Sequence, residues 1–246
     1  MLDLGTGLQF FAATQPTDGS FRGSALLTHM HWDHVQGLPF FPPVDRAGAR
    51  FDIYAPAQNE GTLAEVFGKL VRPPYFPVHL RELRGDIAFH EVSSSELGIG
   101  FAKVKARPVP HLGPTVGYRV SSRDASVAYL SDHQQPVGLS SIDEGVLELC
   151  DGVDLLIHDA QYTAAEFAQK SHWGHCTVEY AVKVAKESGA HRLALFHHDP
   201  THGDDQVDHL LEGARCLGEI LGVDDIVAAA EGLVIELAAP PKEHHR

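Results

Sequence analysis

The sequence predicts a single mixed α/β domain spanning 1–246, and three observations lead there. The 246 residues are enough chain for one sizeable core. Short apolar runs that read as strands alternate with stretches whose apolar residues recur at helical spacing. Several of those runs end directly in histidine or aspartate, so chemically active side chains recur at strand ends.

Composition narrows the function. With 19 basic against 33 acidic residues the formal net charge is -14, which opposes a broad grip on DNA or RNA and points to a small-molecule substrate with no extended nucleic acid as partner. Cys150, Cys176 and Cys216 are odd in number and far apart, as free thiols of a reducing compartment would be. No apolar stretch approaches the roughly 20 residues of a membrane span, and no basic segment followed by an apolar one opens the chain. The expectation is a cytoplasmic protein with no membrane association.

Taken in order, Met1-Leu2-Asp3-Leu4-Gly5-Thr6-Gly7 reads as the tail of a strand entering a glycine turn, with Asp3 available to hydrogen-bond a histidine from behind. The next strand, Gly23 to Thr28, delivers His29-Met30-His31-Trp32-Asp33-His34, a metal-binding loop. His29 and His31 point the same way from an extended chain, while Asp33 and His34 lie beyond a turn, which suggests two neighbouring metals. Imidazole with carboxylate and no thiolate suits zinc, manganese or iron.

Gly37-Leu38-Pro39-Phe40-Phe41-Pro42-Pro43 forbids helix and presents Phe40 and Phe41, either as a pocket wall over the metals or as a cover for the sheet or a dimer contact. Phe51 to Tyr54 alternates like a strand, and 59–70 has helical spacing. Val71 to Val78 repeats the proline and aromatic character, placing Tyr75 beside the same pocket. Strands follow at 86–92 and 99–107, the second leading to His111. A hairpin of 115–120 and 126–130 leads to Asp132. A helix over 142–150 precedes a buried strand at 154–157 that ends in His158-Asp159. Helix 163–169, the loop carrying His175 and a helix from Thr177 to Ser188 follow. Strand 192–196 delivers His197-His198, a long helix packs Leu210, Leu211, Ala214, Leu217 and Leu221, and two short strands near 225–228 and 233–237 precede a polar tail at 240–246.

His-x-His-x-Asp-His after a strand, a lone later histidine, an aspartate after a strand and a last histidine after another resemble the metallo-β-lactamase superfamily. Thr-His-Met-His-Trp-Asp-His-Val-Gln-Gly-Leu, Gly-His-Cys-Thr and Leu-Ala-Leu-Phe-His-His resemble its branch of ribonuclease Z and cyclic phosphodiesterases. The resemblance implies an αββα sandwich of two mixed β-sheets flanked by helices. Its relatives begin about one or two strands earlier, so the first strand or strands are expected to be missing here.

Carried over position by position, His29, His31 and His111 would hold one divalent metal ion, Asp33, His34 and His197 the second, and Asp132 would bridge them. Aspartate at that place points away from true β-lactamases. His175 matches the histidine beside the scissile phosphate and His158-Asp159 a supporting pair, in which this branch often carries glutamate. The implied activity is a dinuclear phosphodiesterase on a small phosphodiester, such as a cyclic nucleotide or sugar cyclic phosphate. Its nucleophile would be a metal-bridging hydroxide, with Asp33 orienting the water and His175 bonding the phosphate or protonating the leaving alkoxide. Ribonuclease Z carries a long tRNA-gripping arm where only a hairpin separates His111 from Asp132, which weighs against tRNA. Thioester, lactone or β-lactam hydrolysis and a non-catalytic metal-binding role are the alternatives, and relatives suggest a homodimer.

Overall fold

The computed structural model describes residues 1–123, 125–138 and 141–237. The polar tail expected at 240–246 lies outside them. The described chain forms two compact units, Met1–Ser93 with Gly113–Val116, and Ser94–Leu112 with 117–237.

In the first unit, a short helix α1 (Leu8–Ala12) precedes strand β1 (Arg22–Leu26), the single-turn helix α2 (Trp32–Val35), β2 (Arg50–Pro56), α3 (Leu63–Leu70) and β3 (Asp86–Val92). The strands form one parallel sheet in the order β1-β2-β3, with Ala25 opposite Ile53 and Ile53 opposite Phe89. Alternation in β2 buries Phe51, Ile53 and Ala55, which pack with Leu27, Leu38, Phe41 and Phe67. Parallel neighbours need a crossover, and α3 supplies it between β2 and β3, started by a reciprocal cap between Thr62 and Glu65.

The second unit holds β4 (Ser95–Ile99), β5 (Ala102–Pro108), β6 (Val116–Ser122), β7 (Ala125–Leu130), α4 (Glu144–Cys150), β8 (Leu155–Asp159), α5 (Ala164–Lys170), α6 (Val178–Ser188), β9 (Leu193–Phe196), α7 (Asp204–Leu221) and β10 (Ile226–Ala228). Its sheet runs β10-β9-β8-β7-β6-β5-β4. β7, β8, β9 and β10 are mutually parallel, while β4 with β5 and β6 with β7 are antiparallel. The continuous apolar runs of β8 and β9 are what a strand covered on both faces requires, and α6 packs on them while α4 packs on β5 and β7, with Leu149, Val182 and Val184 in the shared core. Thr177 caps the start of α6, and Gly189, at φ 65°, ends it.

Several elements differ from the sequence reading, beginning with the short helices α1 and α2, which it does not contain. β4 is an extra strand, hidden because Ser93-Ser94-Ser95 reads as a loop. Residues 233–237 are not a strand, and Leu233 and Val234 stand 48% and 80% exposed. No helix among the described residues is long and apolar enough to cross a membrane.

Candidate metal centre

In the first unit the chain stays extended past β1 because Leu27 N donates to Tyr54 O at 2.8 Å, which carries Thr28 and His29 off the end of the sheet. The backbone then turns into α2, which presents Asp33 and His34. Behind this loop sits Asp3, buried and in the left-handed region at φ 53°. Its carboxylate accepts Thr28 N at 2.7 Å, the Thr28 hydroxyl at 3.0–3.1 Å and His34 Nδ1 at 2.8 Å.

These contacts fix the histidine tautomers. A carboxylate only accepts, so His34 Nδ1 carries the proton and Nε2 the lone pair. The one hydroxyl proton of Thr28 goes to Asp3, so at 3.1 Å from His29 Nδ1 that hydroxyl accepts, and His29 too presents Nε2 as its lone-pair nitrogen. The His31 ring lies 4.3 Å edge-on to His29, and His34 lies 4.2 Å from His29. Asp33 Oδ2 stands 3.0 Å from His34 Nε2. Two lone-pair atoms at that distance repel unless a cation or an added proton lies against both.

In the second unit the strand ends supply the groups. The segment after β5 holds His111, the end of β7 leads to Asp132 and His133, β8 ends in His158 and Asp159, and β9 delivers His197 at φ 56°. Asp132 is 2% exposed, and its Oδ2 lies 3.8 Å from His111 Nε2, 3.6 Å from His197 Nε2 and 3.7 Å from His175 Nδ1. Asp132, His175 and His197 together have the spacing of a metal-ligand group. His111 Nδ1 donates to Gly174 O at 2.7 Å and His197 Nδ1 to Gln161 Oε1 at 3.2 Å, so both again offer Nε2. Gly174 is required where it stands: at φ 97° it adopts a conformation open to glycine, and a Cβ would strike the His111 ring.

Asp159 and His175 are joined directly, Nδ1 to Oδ2 at 2.8 Å, and the His175 ring stacks on His197 at 5.0 Å. His158 backs this pair from the core: its Nδ1 donates to Asp159 O at 2.6 Å while its Nε2 accepts from His133 Nδ1 at 3.0 Å. Desolvation lowers the pKa of both buried rings, His133 strongly, which keeps them neutral. Burial likewise pushes the Cys176 thiol up, so that it serves as a donor to Asp159 O rather than as a thiolate ligand. His198 is anchored to the backbone of Ala229.

Several contributors carry no sequence signal. Gln161 orients His197. Gln134 fixes the His175 loop through Gly174 N and Ser171 O at 2.8 and 2.9 Å. Asp199 would be raised by burial, but bonds from Thr201 and Lys170 hold it well below the usual carboxylate range. One residue read as pocket wall is not: Phe41 is 1% exposed and packs on Phe21 and Phe51, because the turn after Pro39 directs it inward. Phe40 and Tyr75 line a cavity with Trp32.

The model of the family described as "Beta-lactamase superfamily domain" matches residues 8–198. The chain belongs to this superfamily. A ribonuclease Z from Brevibacillus brevis is 24% identical over 86% of this chain and 79% of its own length. The metallo-β-lactamase fold protein YhfI of Bacillus subtilis superposes with TM-score 0.67 at 21% identity, covering 94% of this chain and 84% of its own. The short form of human tRNase Z gives TM-score 0.68 at 20% identity, covering 96% and 87%. The superfamily fold and the His/Asp clusters are those of a protein that binds divalent metal. The first of these relatives also overturns one expectation. A ribonuclease acts on extended nucleic acid, so the expectation of a small-molecule substrate with no extended nucleic acid does not stand. Net charge misled because it is a sum over the molecule and says nothing about where phosphate meets the protein.

Proposed function

We propose that this chain, a metal-dependent hydrolase, cleaves phosphodiester bonds in RNA, with His29, His31, Asp33, His34, His111, Asp132 and His197 as ligands of two divalent cations, zinc or manganese. The observation that carries the reading is the uniform presentation of Nε2 by His29, His34, His111 and His197, each with Nδ1 engaged behind it. The ribonuclease Z relative supports RNA as the substrate class. When bound, the cations supply Lewis acidity to phosphoryl oxygens and lower the pKa of water.

The chain's own residues do the rest. Asp132, with Oδ2 near both His111 and His197, is the carboxylate suited to be shared. Asp33, whose side chain is 55% exposed, can orient an attacking water. Asp159 holds the Nδ1 proton of His175, so any proton given to the departing alkoxide passes through Nε2.

Metal-loaded protein is to be assayed on a precursor tRNA transcript, on bis(p-nitrophenyl) phosphate and on p-nitrophenyl acetate. Hydrolysis of the RNA and the diester is expected. Turnover of the carboxylic ester alone would sink the reading in favour of acyl chemistry.

A further inference from the structure

A cavity of about 190 Å³ adjoins α2 and is used by nothing described so far. Its floor is apolar, from Val35, Phe67 and Val71, which are all buried. Its rim is aromatic: Trp32, Phe40 and Tyr75 are 65%, 63% and 70% exposed, and Phe76 meets Phe40 edge-on at 6.2 Å. Three large rings left that open around one hollow cost the protein solvation with no return in core packing. The wall also contains Thr6 and Gln36, so a purely aliphatic ligand would leave a hydroxyl and an amide facing it. Trp32 and Gln36 sit one turn apart, with Gln36 N bonded to Trp32 O at 2.9 Å, on the turn that also bears Asp33 and His34.

Flat faces to stack on and a polar edge to read describe a nucleobase. We propose that this cavity holds an unpaired base of the substrate, stacked among Trp32, Phe40 and Tyr75, with Gln36 and Thr6 bonding its edge. The inference rests on the reading of the chain as an RNA phosphodiesterase and adds a subsite that selects single-stranded nucleotides beside the scissile bond. Aromatic stacking of one base is commonly worth on the order of tenfold in affinity.

The chain has two tryptophans, so Trp173→Phe leaves Trp32 as the only indole reporter. Metal-loaded protein of this background is titrated with adenosine 5′-monophosphate and with ribose 5-phosphate, the latter having the same phosphate and sugar for the metals to hold but no base. Saturable quenching by the nucleotide alone is expected, weakened about tenfold by Phe40→Ala and by Tyr75→Ala. Both replaced side chains are exposed, and unchanged circular dichroism would certify the fold. An equal response to both probes, no response to the nucleotide, or indifference to both substitutions overturns the proposal. Quenching by the nucleotide in a protein that cleaves no phosphodiester would refute the proposed function and leave the base site standing. Hydrolysis without quenching would do the reverse.

Discussion

Asp159 Oδ2 receives His175 Nδ1 at 2.8 Å and, at 3.0 Å, the backbone N–H of His133, the residue after Asp132. One buried carboxylate therefore registers His175 against the segment that carries Asp132. Asp159→Asn keeps the volume but can turn an NH₂ toward His175 Nδ1, which frees the ring to rotate. Turnover of a diester should fall roughly 10- to 100-fold, with bound metal unchanged by elemental analysis. A variant that loses metal in proportion to rate would show that Asp159 acts on the ligands instead.

Asp132→Ala removes the oxygen that lies within 3.8 Å of both His111 Nε2 and His197 Nε2. Metal content by mass spectrometry should drop by at least half, and diester hydrolysis should vanish. Retention of both ions with wild-type rate would rule out a shared role.

Asp3→Ala leaves Thr28 N and His34 Nδ1 without their carboxylate. Each buried group so stranded costs about 1–3 kcal/mol, and loss of a support behind a ligand typically weakens metal binding 10- to 100-fold. Denaturant titration and a competitive chelator assay read the two effects separately.

Gly37 has an ordinary helical backbone, φ -79°, so alanine there is not torsionally strained. Its Cβ would instead run into Gly5 O and lie 2.7 Å from Leu4 O. Gly37→Ala should therefore destabilise by roughly 1–3 kcal/mol through backbone displacement. An unchanged melting temperature would contradict the close approach.

His158 is neutral in the fold because burial lowers its pKa below the ordinary 6.5. Below that pH the unfolded chain binds a proton that the folded one resists, so stability is complete above about 6.5 and is lost as pH falls toward the folded value. Metal-free protein should unfold at lower urea between pH 7.5 and 5.5, and His158→Gln should flatten the slope.

Much of this was legible in the residues. Apolar runs such as Leu155-Leu156-Ile157, β-branched in part and too short for a helix, read as buried strands, and the His and Asp that follow this one stand at its end. The inward turn of Phe41 was not legible, since proline-flanked aromatics carry no period that assigns a face. β4 was masked by serines whose side chains favour turns. Gln161 and Gln134 were invisible because an amide acquires its role only from the histidine or backbone that the fold sets beside it.

Leu4 N bonds to His34 O at 2.8 Å and Gly37 N to Leu4 O at 2.7 Å, so α2 itself and the turn that follows it are stitched to the opening residues. Ordering this corner and aiming the imidazole of His34 are then one cooperative event. Ion capture and folding of the first unit become coupled equilibria, and a strong chelator should act on it as a mild denaturant.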